Sequence, residues 1–237
     1  MIKRLLFASI VLISLAGSAL ANDIYIEQVG DTLDLDITQD GQDNVIGSSV
    51  QAVVLGQTGS AADTMTFDIT QTGDYNTISA QIQGNNYTGT WSFTGDSNTV
   101  ALMCDSAAAG NCETVTLNIT AVGDSQAYTI DIGQSADSDS ATVAFSVTDD
   151  NTVVDLDIDG KAATVSVTVD KNNSLAAGNN TFDLDITGDG DSTGHVLTLD
   201  VKGKGNDLTI SQSGVYDNTV NLQTVGDNAD IDITQTD

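Results

Sequence analysis

Proline is absent from all 237 residues of the chain, and aromatic residues make up only 5% of it. The interior of a β-sheet cannot use proline, because proline lacks the backbone N–H that each ladder position donates. Scarce aromatic side chains favour a thin core between two facing sheets over the bulky centre of an immunoglobulin-like sandwich. Beyond the N-terminal segment no apolar pattern has the helical period. These absences predict an all-β chain made of strands and short turns.

Cations are nearly as scarce, with six Lys and Arg against 34 Asp and Glu and a net charge of −28. Nucleic acid and anionic lipid are both recognised through clustered cations, so this composition excludes them as partners. His195 is the only histidine, and no serine or cysteine lies in a recognisable nucleophilic setting. Acyl and phosphoryl transfer therefore lack their usual groups, and we expect no enzyme activity.

The N-terminus has the pattern of a secretion signal. Lys3 and Arg4 precede an apolar run, and Ala19-Leu-Ala21 is the small-residue pattern that signal peptidase cleaves. We expect residues 1–21 to be removed and residues 22–237 to form one exported domain, found outside the cell or on its surface. No later segment approaches the roughly 20 apolar residues of a membrane-spanning helix.

The two cysteines, Cys104 and Cys112, enclose a short loop of small residues. In an exported chain such a pair is most simply a disulfide, which would stabilise the fold by roughly 2 to 3 kcal/mol on loop-entropy grounds. An exposed reactive thiol pair is the alternative. A metal site has less support, because the chain holds no other cysteine and a single histidine.

A strand that ends in glutamine recurs five times along the chain, and three of these copies continue through glycine to asparagine. The copies are Ile37-Thr-Gln39-Asp-Gly41-Gln-Asp-Asn44, Ile69-Thr-Gln71-Thr-Gly73-Asp-Tyr-Asn76 and the longer Ile210-Ser-Gln212-Ser-Gly214-Val-Tyr-Asp-Asn218, with partial copies at Gln28-Val-Gly30 and at Gln235. A recurring strand-turn-strand unit predicts coils stacked on one another.

Alternation along these strands places the glutamines on the apolar face. In the copy that ends at Gln71, Phe67 and Ile69 share its parity, while Asp68 and Thr70 take the other. Glycine would supply the positive φ of a sharp arc, and asparagine would tolerate left-handed geometry while bonding nearby backbone. Stacking would pair each inward amide with its copy about 4.8 Å above or below, as in cross-β ladders.

The spacing of the copies predicts a β-solenoid of coils of about 24 residues with irregular central coils. The last apolar residue of each coil marks the period, at Ile37, Ile69, Phe93, Ile119, Ile186, Ile210 and Ile233. We expect insertions at residues 47–63 and at the cysteine loop. The interval from Ile119 to Ile186 has room for two further coils, with strands at residues 141–148, 152–159 and 163–170.

The Gln-x-Gly-x-x-Asn arc between short strands, behind a secretion leader, resembles the curlin repeat of curli fibre subunits. That resemblance implies a bacterial extracellular β-solenoid whose subunits add end to end into amyloid-like fibres of the biofilm matrix. It also implies a secretion pore or a nucleator as partner. The chain departs from the family in its uneven copies, its abundant aspartate, and Gln81 and Gln223, which fall on the opposite parity to Asn76 and Asn218.

Two acidic patterns suggest cations. The oxygen-ligand spacing of a calcium loop occurs at Asp189, Asp191, Thr193 and Asp200. The same residues also lie at an arc of the repeat, in a chain where Asp and Gly are so common that such a match is expected by chance. Outward aspartates would form rows if their coils are adjacent, at Asp34, Asp36, Asp155, Asp157, Asp183 and Asp185. Such rows fit either a diffuse divalent-cation effect or a solvated face that discourages unwanted pairing.

Two functions are therefore expected from the sequence. The first is a secreted structural protein that assembles into surface or matrix fibres through its terminal coils. The second is a monomeric, calcium-stabilised binding module that presents an acidic or threonine-rich face to a glycan, a cation or a surface. Outward threonines such as Thr64, Thr66, Thr114 and Thr116 belong to that face, although threonine is also an ordinary exposed strand residue. Calcium is the one cofactor suggested.

Overall fold

The computed structural model describes residues 23–28, 32–47, 52–55, 64–104, 112–133, 140–148, 151–169, 179–188 and 193–237. These residues form 19 strands, all paired in parallel, in two sheets that face each other across one core. The predicted β-solenoid is confirmed. Residues 1–22 lie outside the described residues, so the secretion leader stays a prediction.

Sheet A holds eleven strands and sheet B holds eight. Sheet A contains β1 (Asp23–Ile24), β2 (Glu27–Gln28), β4 (Val45–Ile46), β5 (Val53–Leu55), β7 (Thr77–Ile82), β9 (Thr99–Cys104), β11 (Ala127–Ile132), β13 (Val153–Asp159), β15 (Thr181–Thr187), β17 (Asp207–Ser213) and β19 (Asp230–Thr236). Sheet B contains β3 (Thr32–Asp40), β6 (Thr64–Thr72), β8 (Tyr87–Thr94), β10 (Val115–Val122), β12 (Ala141–Thr148), β14 (Thr164–Val169), β16 (Val196–Lys202) and β18 (Thr219–Val225).

Each strand of sheet B is followed along the chain by a strand of sheet A, so one coil is a strand from each sheet. Aligned residues of successive sheet B strands are 32, 22, 28, 26, 22, 32 and 23 positions apart in sequence. The mean coil is therefore about 26 residues, slightly longer than expected. The predicted insertions account for the first long step and for the step of 28, and a third insertion precedes β15.

The core lies between the sheets and is formed by alternate residues of nearly every strand. In β6 and β8, for example, the burial pattern alternates strictly between buried and exposed positions. Isoleucine, valine and leucine dominate, and the largest side chains fill the middle, where Phe67 and Trp91 meet edge to face with ring centroids 5.9 Å apart. The Trp91 indole N–H donates to the Phe67 carbonyl at 3.0 Å, so this polar group is satisfied in the core.

The coil markers expected from the sequence fall on two different sheets. Ile37, Ile69 and Ile119 lie in sheet B, whereas Ile186, Ile210 and Ile233 lie in sheet A. Phe93 aligns with Gln71 and takes the place of the glutamine, while Trp91 aligns with Ile69. The markers were misassigned because strands of both sheets have the same alternation, so the period alone does not reveal to which sheet a strand belongs.

The central strands and the cysteines agree with the sequence expectation. The three predicted central strands are β12, β13 and β14, and they fall within two coils. Cys104, at the end of β9, and Cys112, just before β10, form the predicted disulfide with Cα atoms 5.7 Å apart, and both side chains are buried. Among the described residues no helix is long and apolar enough to cross a membrane.

Candidate functional site

A column of polar side chains runs through the arcs that lead from sheet B to sheet A. The residue just before the sheet A strand occupies the same position in each coil. This equivalence is seen in the hydrogen bonds, because its backbone carbonyl accepts the N–H of the first residue of the sheet A strand in the next coil. From the first coil onward the column reads Asn44, Asn76, Asn98, Gln126, Thr152, Asn180 and Asn206, followed by Ala229. The seven polar members are all buried. We call this set the amide column.

Hydrogen bonds between side chains connect neighbouring members of the amide column. Asn44 Nδ2 donates to Asn76 Oδ1 at 3.1 Å, and Asn76 Nδ2 donates to Asn98 Oδ1 at 2.8 Å. Asn98 Nδ2 continues to Gln126 Oε1 at 2.9 Å, and farther along Asn180 Nδ2 donates to Asn206 Oδ1 at 3.0 Å. Pairing with the adjacent coil thus removes the cost of burying a carboxamide, about 1 to 3 kcal/mol for an unpaired group.

The glycine three positions before the asparagine makes the arc possible. Gly73 has φ 127°, and a Cβ there would lie 1.4 Å from the Gly41 carbonyl oxygen of the preceding coil. Only glycine permits both this conformation and this approach. The asparagine also donates to its own glycine carbonyl, as Asn44 does to Gly41 at 3.0 Å. The left-handed residue is the one before the asparagine, such as Tyr75 at φ 60°, rather than the asparagine expected from the sequence.

Three of the seven polar members of the amide column were not predicted from the sequence. Asn98 and Gln126 each stand three positions after a glycine, as in the complete copies of the arc, but Thr152, Asn180 and Asn206 were missed. A usable signal exists for Asn206, since Gly203 stands three positions earlier with φ 157°. Thr152 gives no such signal, because it resembles the asparagine of the other coils only in size and polarity.

Replacing Asn76 with Ala should destabilise the protein by roughly 2 to 4 kcal/mol, because it removes three hydrogen bonds and takes one partner from a buried side chain on each neighbouring coil. Urea unfolding of the mature chain measures this change. Asn221→Ala is the matched control, since Asn221 is exposed on the outer face of β18 and should change stability by less than about 0.5 kcal/mol. Equal effects of the two substitutions would contradict a stabilising amide column.

The glutamines form two short ladders instead of the single column expected. Gln39 and Gln71 align in sheet B, where Gln71 Nε2 donates to Gln39 Oε1 at 2.7 Å. Gln212 and Gln235 align in sheet A, where Gln235 Nε2 donates to Gln212 Oε1 at 3.0 Å. Gln39, Gln71 and Gln212 are buried, so the parity argument placed them correctly relative to the core.

The copy at residues 212–218 therefore occupies the opposite arc, which leads from sheet A to sheet B. Asn218 is half-buried and lies outside the amide column, and its Oδ1 accepts the backbone N–H of His195 at 3.0 Å. Gly214 does not have a positive φ. Gly30 lies outside the described residues. The motif occurs at both kinds of arc because each follows an inward glutamine. Only the arc from sheet B to sheet A contains the amide column.

The coils at the two ends of the solenoid have open faces. In the last coil, β18 and β19 each have one neighbour in their sheet, and Ile231 and Ile233 are 38% and 44% exposed. In the first coil, Ile24, Ile26, Leu33 and Leu35 are only partly buried. Both ends thus present apolar side chains beside backbone groups of an unpaired strand edge, which is a template for pairing with another strand.

The outer face of sheet A carries a column of carboxylates on successive strands. Asp131, Asp157 and Asp185 align, and Asp155 aligns with Asp183 beside them, which is the row arrangement expected from the sequence. Partial burial, together with the charges of Asp131, Asp185, Asp159 and Asp155, raises the pKa of Asp157 to about 6. Partial burial, with the charges of Asp159 and Asp155, also raises the pKa of Asp131. The charged column opposes folding at neutral pH.

Because the pKa of Asp157 is higher in the folded chain than in the unfolded one, its contribution to stability is present below pH 3.8 and is lost as pH rises through about 6. Asp157→Asn should therefore raise the melting temperature at pH 7 by roughly 1 to 4 °C, and this gain should vanish at pH 3.5. Scanning calorimetry at both pH values measures it. Asp40→Asn is the control, because Asp40 aligns with the uncharged Thr72; an equal gain there would refute the column as the cause.

The predicted calcium loop is only partly described. Asp189 and Asp191 lie outside the described residues. Thr193 precedes β16, whereas Asp200 lies four residues into that strand, roughly 13 Å along it at the usual rise per residue. These two residues therefore do not come together. Within the described residues no group of three or more His, Cys, Asp or Glu is arranged to hold a metal ion. The calcium site stays a prediction.

Comparison with known proteins found no matching family model, no matching curated protein and no matching solved structure. The likeness to the curlin repeat therefore rests on the motif and the fold alone.

Proposed function

We propose that the chain is a secreted structural protein whose solenoids join end to end into extracellular fibres of the curli kind. The observation that carries this proposal is the agreement between the two ends. Residues 23–28 and 230–235 both read Asp-Ile-x-Ile-x-Gln. These segments are the first and last of sheet A, and both lie at its open edges.

The two end segments also occupy the same columns of sheet A. Following the register from strand to strand, Ile24 stands in the column that ends at Ile231, and Gln28 stands in the column that ends at Gln235. A second copy set on the last coil would therefore continue each column with the residue type already there. Ile231 and Ile233, now partly exposed, would be covered by isoleucines.

Sheet B supports the same junction. The register places Asp34 of a second copy on Thr219, and Asp36 on Asn221. Neither outward residue of β18 is charged, so these carboxylates would meet hydrogen-bonding side chains. In sheet A, Asp23 of the second copy would meet Asp230, and like charges on adjacent strands repel. We therefore expect divalent cations or mild acid to promote assembly.

The mature chain, residues 22–237, should form unbranched fibres with a reflection near 4.8 Å along the fibre axis, because the strands lie perpendicular to it. Electron microscopy and fibre diffraction, with and without calcium at pH 5 and pH 7, test this. Chains that remain monomeric under all four conditions would overturn the proposal. A secretion pore or a nucleator would be an additional partner in the cell.

Ile233→Lys should raise the critical concentration for assembly at least about tenfold, because it removes an apolar contact and places a cation in the junction. Thr234→Lys is the matched control, since it makes the same charge change on the outer face of β19 and should leave assembly intact or faster. Both substitutions reduce the net negative charge. Assembly of Ile233→Lys at the wild-type critical concentration would exclude this junction.

The alternative is a monomeric binding module stabilised by calcium, which the spacing of Asp189, Asp191 and Thr193 favours. On that alternative, millimolar calcium should raise the melting temperature of the mature chain, and Asp189→Ala with Asp191→Ala should abolish the increase. If calcium leaves the melting temperatures of both proteins unchanged, a specific calcium site is excluded. Assembly without a calcium-dependent melting temperature would favour the structural function.

A further inference from the structure

Charge is distributed unevenly over the outer surface of the solenoid. Four neighbouring strands of sheet B, β8, β10, β12 and β14, contain no charged residue, although the chain carries a net charge of −28. We call the outward side of these four strands the hydroxyl face. Charged side chains border it in the adjoining strands, with Asp68 in β6 and Asp200 and Lys202 in β16.

Most side chains of the hydroxyl face are threonine or serine. They are Thr88, Thr90, Ser92, Thr94, Thr116, Asn118, Thr120, Val122, Thr142, Ala144, Ser146, Thr148, Thr164, Ser166 and Thr168. Twelve of these fifteen carry a hydroxyl group, and Thr88, Thr116, Thr142 and Thr164 align on successive coils. The face therefore offers methyl groups together with groups that both donate and accept hydrogen bonds.

Carboxylates lie on much of the rest of the described surface, although β4, β5, β7 and β9 of sheet A are also uncharged. On the outer face of sheet A, partial burial and the charges of neighbouring aspartates together raise the pKa of Asp157. The arcs beside the amide column carry Asp74, Asp96 and Asp124 on successive coils. Two copies that approached through the acidic sides would bring like charges together, whereas two hydroxyl faces would meet without that repulsion.

We propose that the hydroxyl face packs against the same face of a second copy, so that assembled solenoids pair side by side. This inference rests on the proposed end-to-end assembly. Two such faces would stack as sheets about 10 Å apart, with threonine methyl groups interdigitated and hydroxyl groups bonded across the interface, as in a steric zipper.

The size of the face decides when pairing occurs. Four strands about 4.8 Å apart and six residue steps of about 3.3 Å give roughly 400 Å² per subunit. A stable protein interface buries about 800 Å² per partner, so two monomers should not pair. A fibre presents one such face for every subunit, and the contacts add along its length. Pairing is thus a property of the assembled rod.

The test compares two double variants of the mature chain under assembly conditions. Thr120→Asp with Thr142→Asp adds two exposed charges to the hydroxyl face, in β10 and β12. Thr181→Asp with Thr209→Asp adds the same two charges to the outer face of sheet A, in β15 and β17. All four threonines are exposed, so both variants should fold, which circular dichroism and melting check.

Mass per length from electron microscopy gives the outcome. Wild-type fibres and the sheet A variant should show twice the mass per length of the hydroxyl-face variant, whose rods should be single. Single wild-type rods, paired rods of the hydroxyl-face variant, or loss of pairing in both variants would overturn the inference while leaving end-to-end assembly intact. Absence of any wild-type fibre would instead overturn the proposed function itself.

Discussion

Burying a carboxamide costs free energy unless its polar atoms find partners, and in the amide column the side-chain partner belongs to another coil. Asn76 bonds backward to Asn44, forward to Asn98 and locally to Gly73, so each arc is held by the coil on either side. The coils therefore depend on their neighbours, as in other repeat proteins whose stability is a sum of nearest-neighbour terms. The same dependence leaves the terminal coils with unpaired edges, the feature on which the proposed end-to-end assembly depends.

The two outer faces differ in a way that follows from which residues the strands place outward. Sheet A presents aspartates at ladder spacing, where partial burial and the neighbouring charges raise the pKa of Asp157 and work against stability at neutral pH. Sheet B presents threonine and serine across four coils without a charge. On the proposed assembly, the acidic parts of the surface would make most orientations of approach unfavourable, and the end coils would set the direction of growth.

Sequence alone identified the architecture, because strand alternation and a repeated arc are local properties of the chain. It placed Gln39, Gln71, Asn44 and Asn76 on the core side and paired Cys104 with Cys112. It did not separate the two sheets, since Ile210 and Ile69 have the same surroundings in sequence but lie in opposite layers. It also missed Thr152 and Asn180, whose place in the amide column depends on register with distant coils. Register depends on how a coil aligns with coils that are distant in sequence, and an arc that lacks the full motif carries no local signal for that alignment.

The coils of this protein vary from 22 to 32 residues, yet their strands return to the same register each time. The extra residues fall in sequence between the strands, whose register is the same in long and short coils. Length variation is therefore nearly neutral for the packing, whereas substitution inside the columns is not. Related chains could therefore differ in loop length and keep the same solenoid. In a polymer of such chains, each loop would recur once per subunit along the fibre axis.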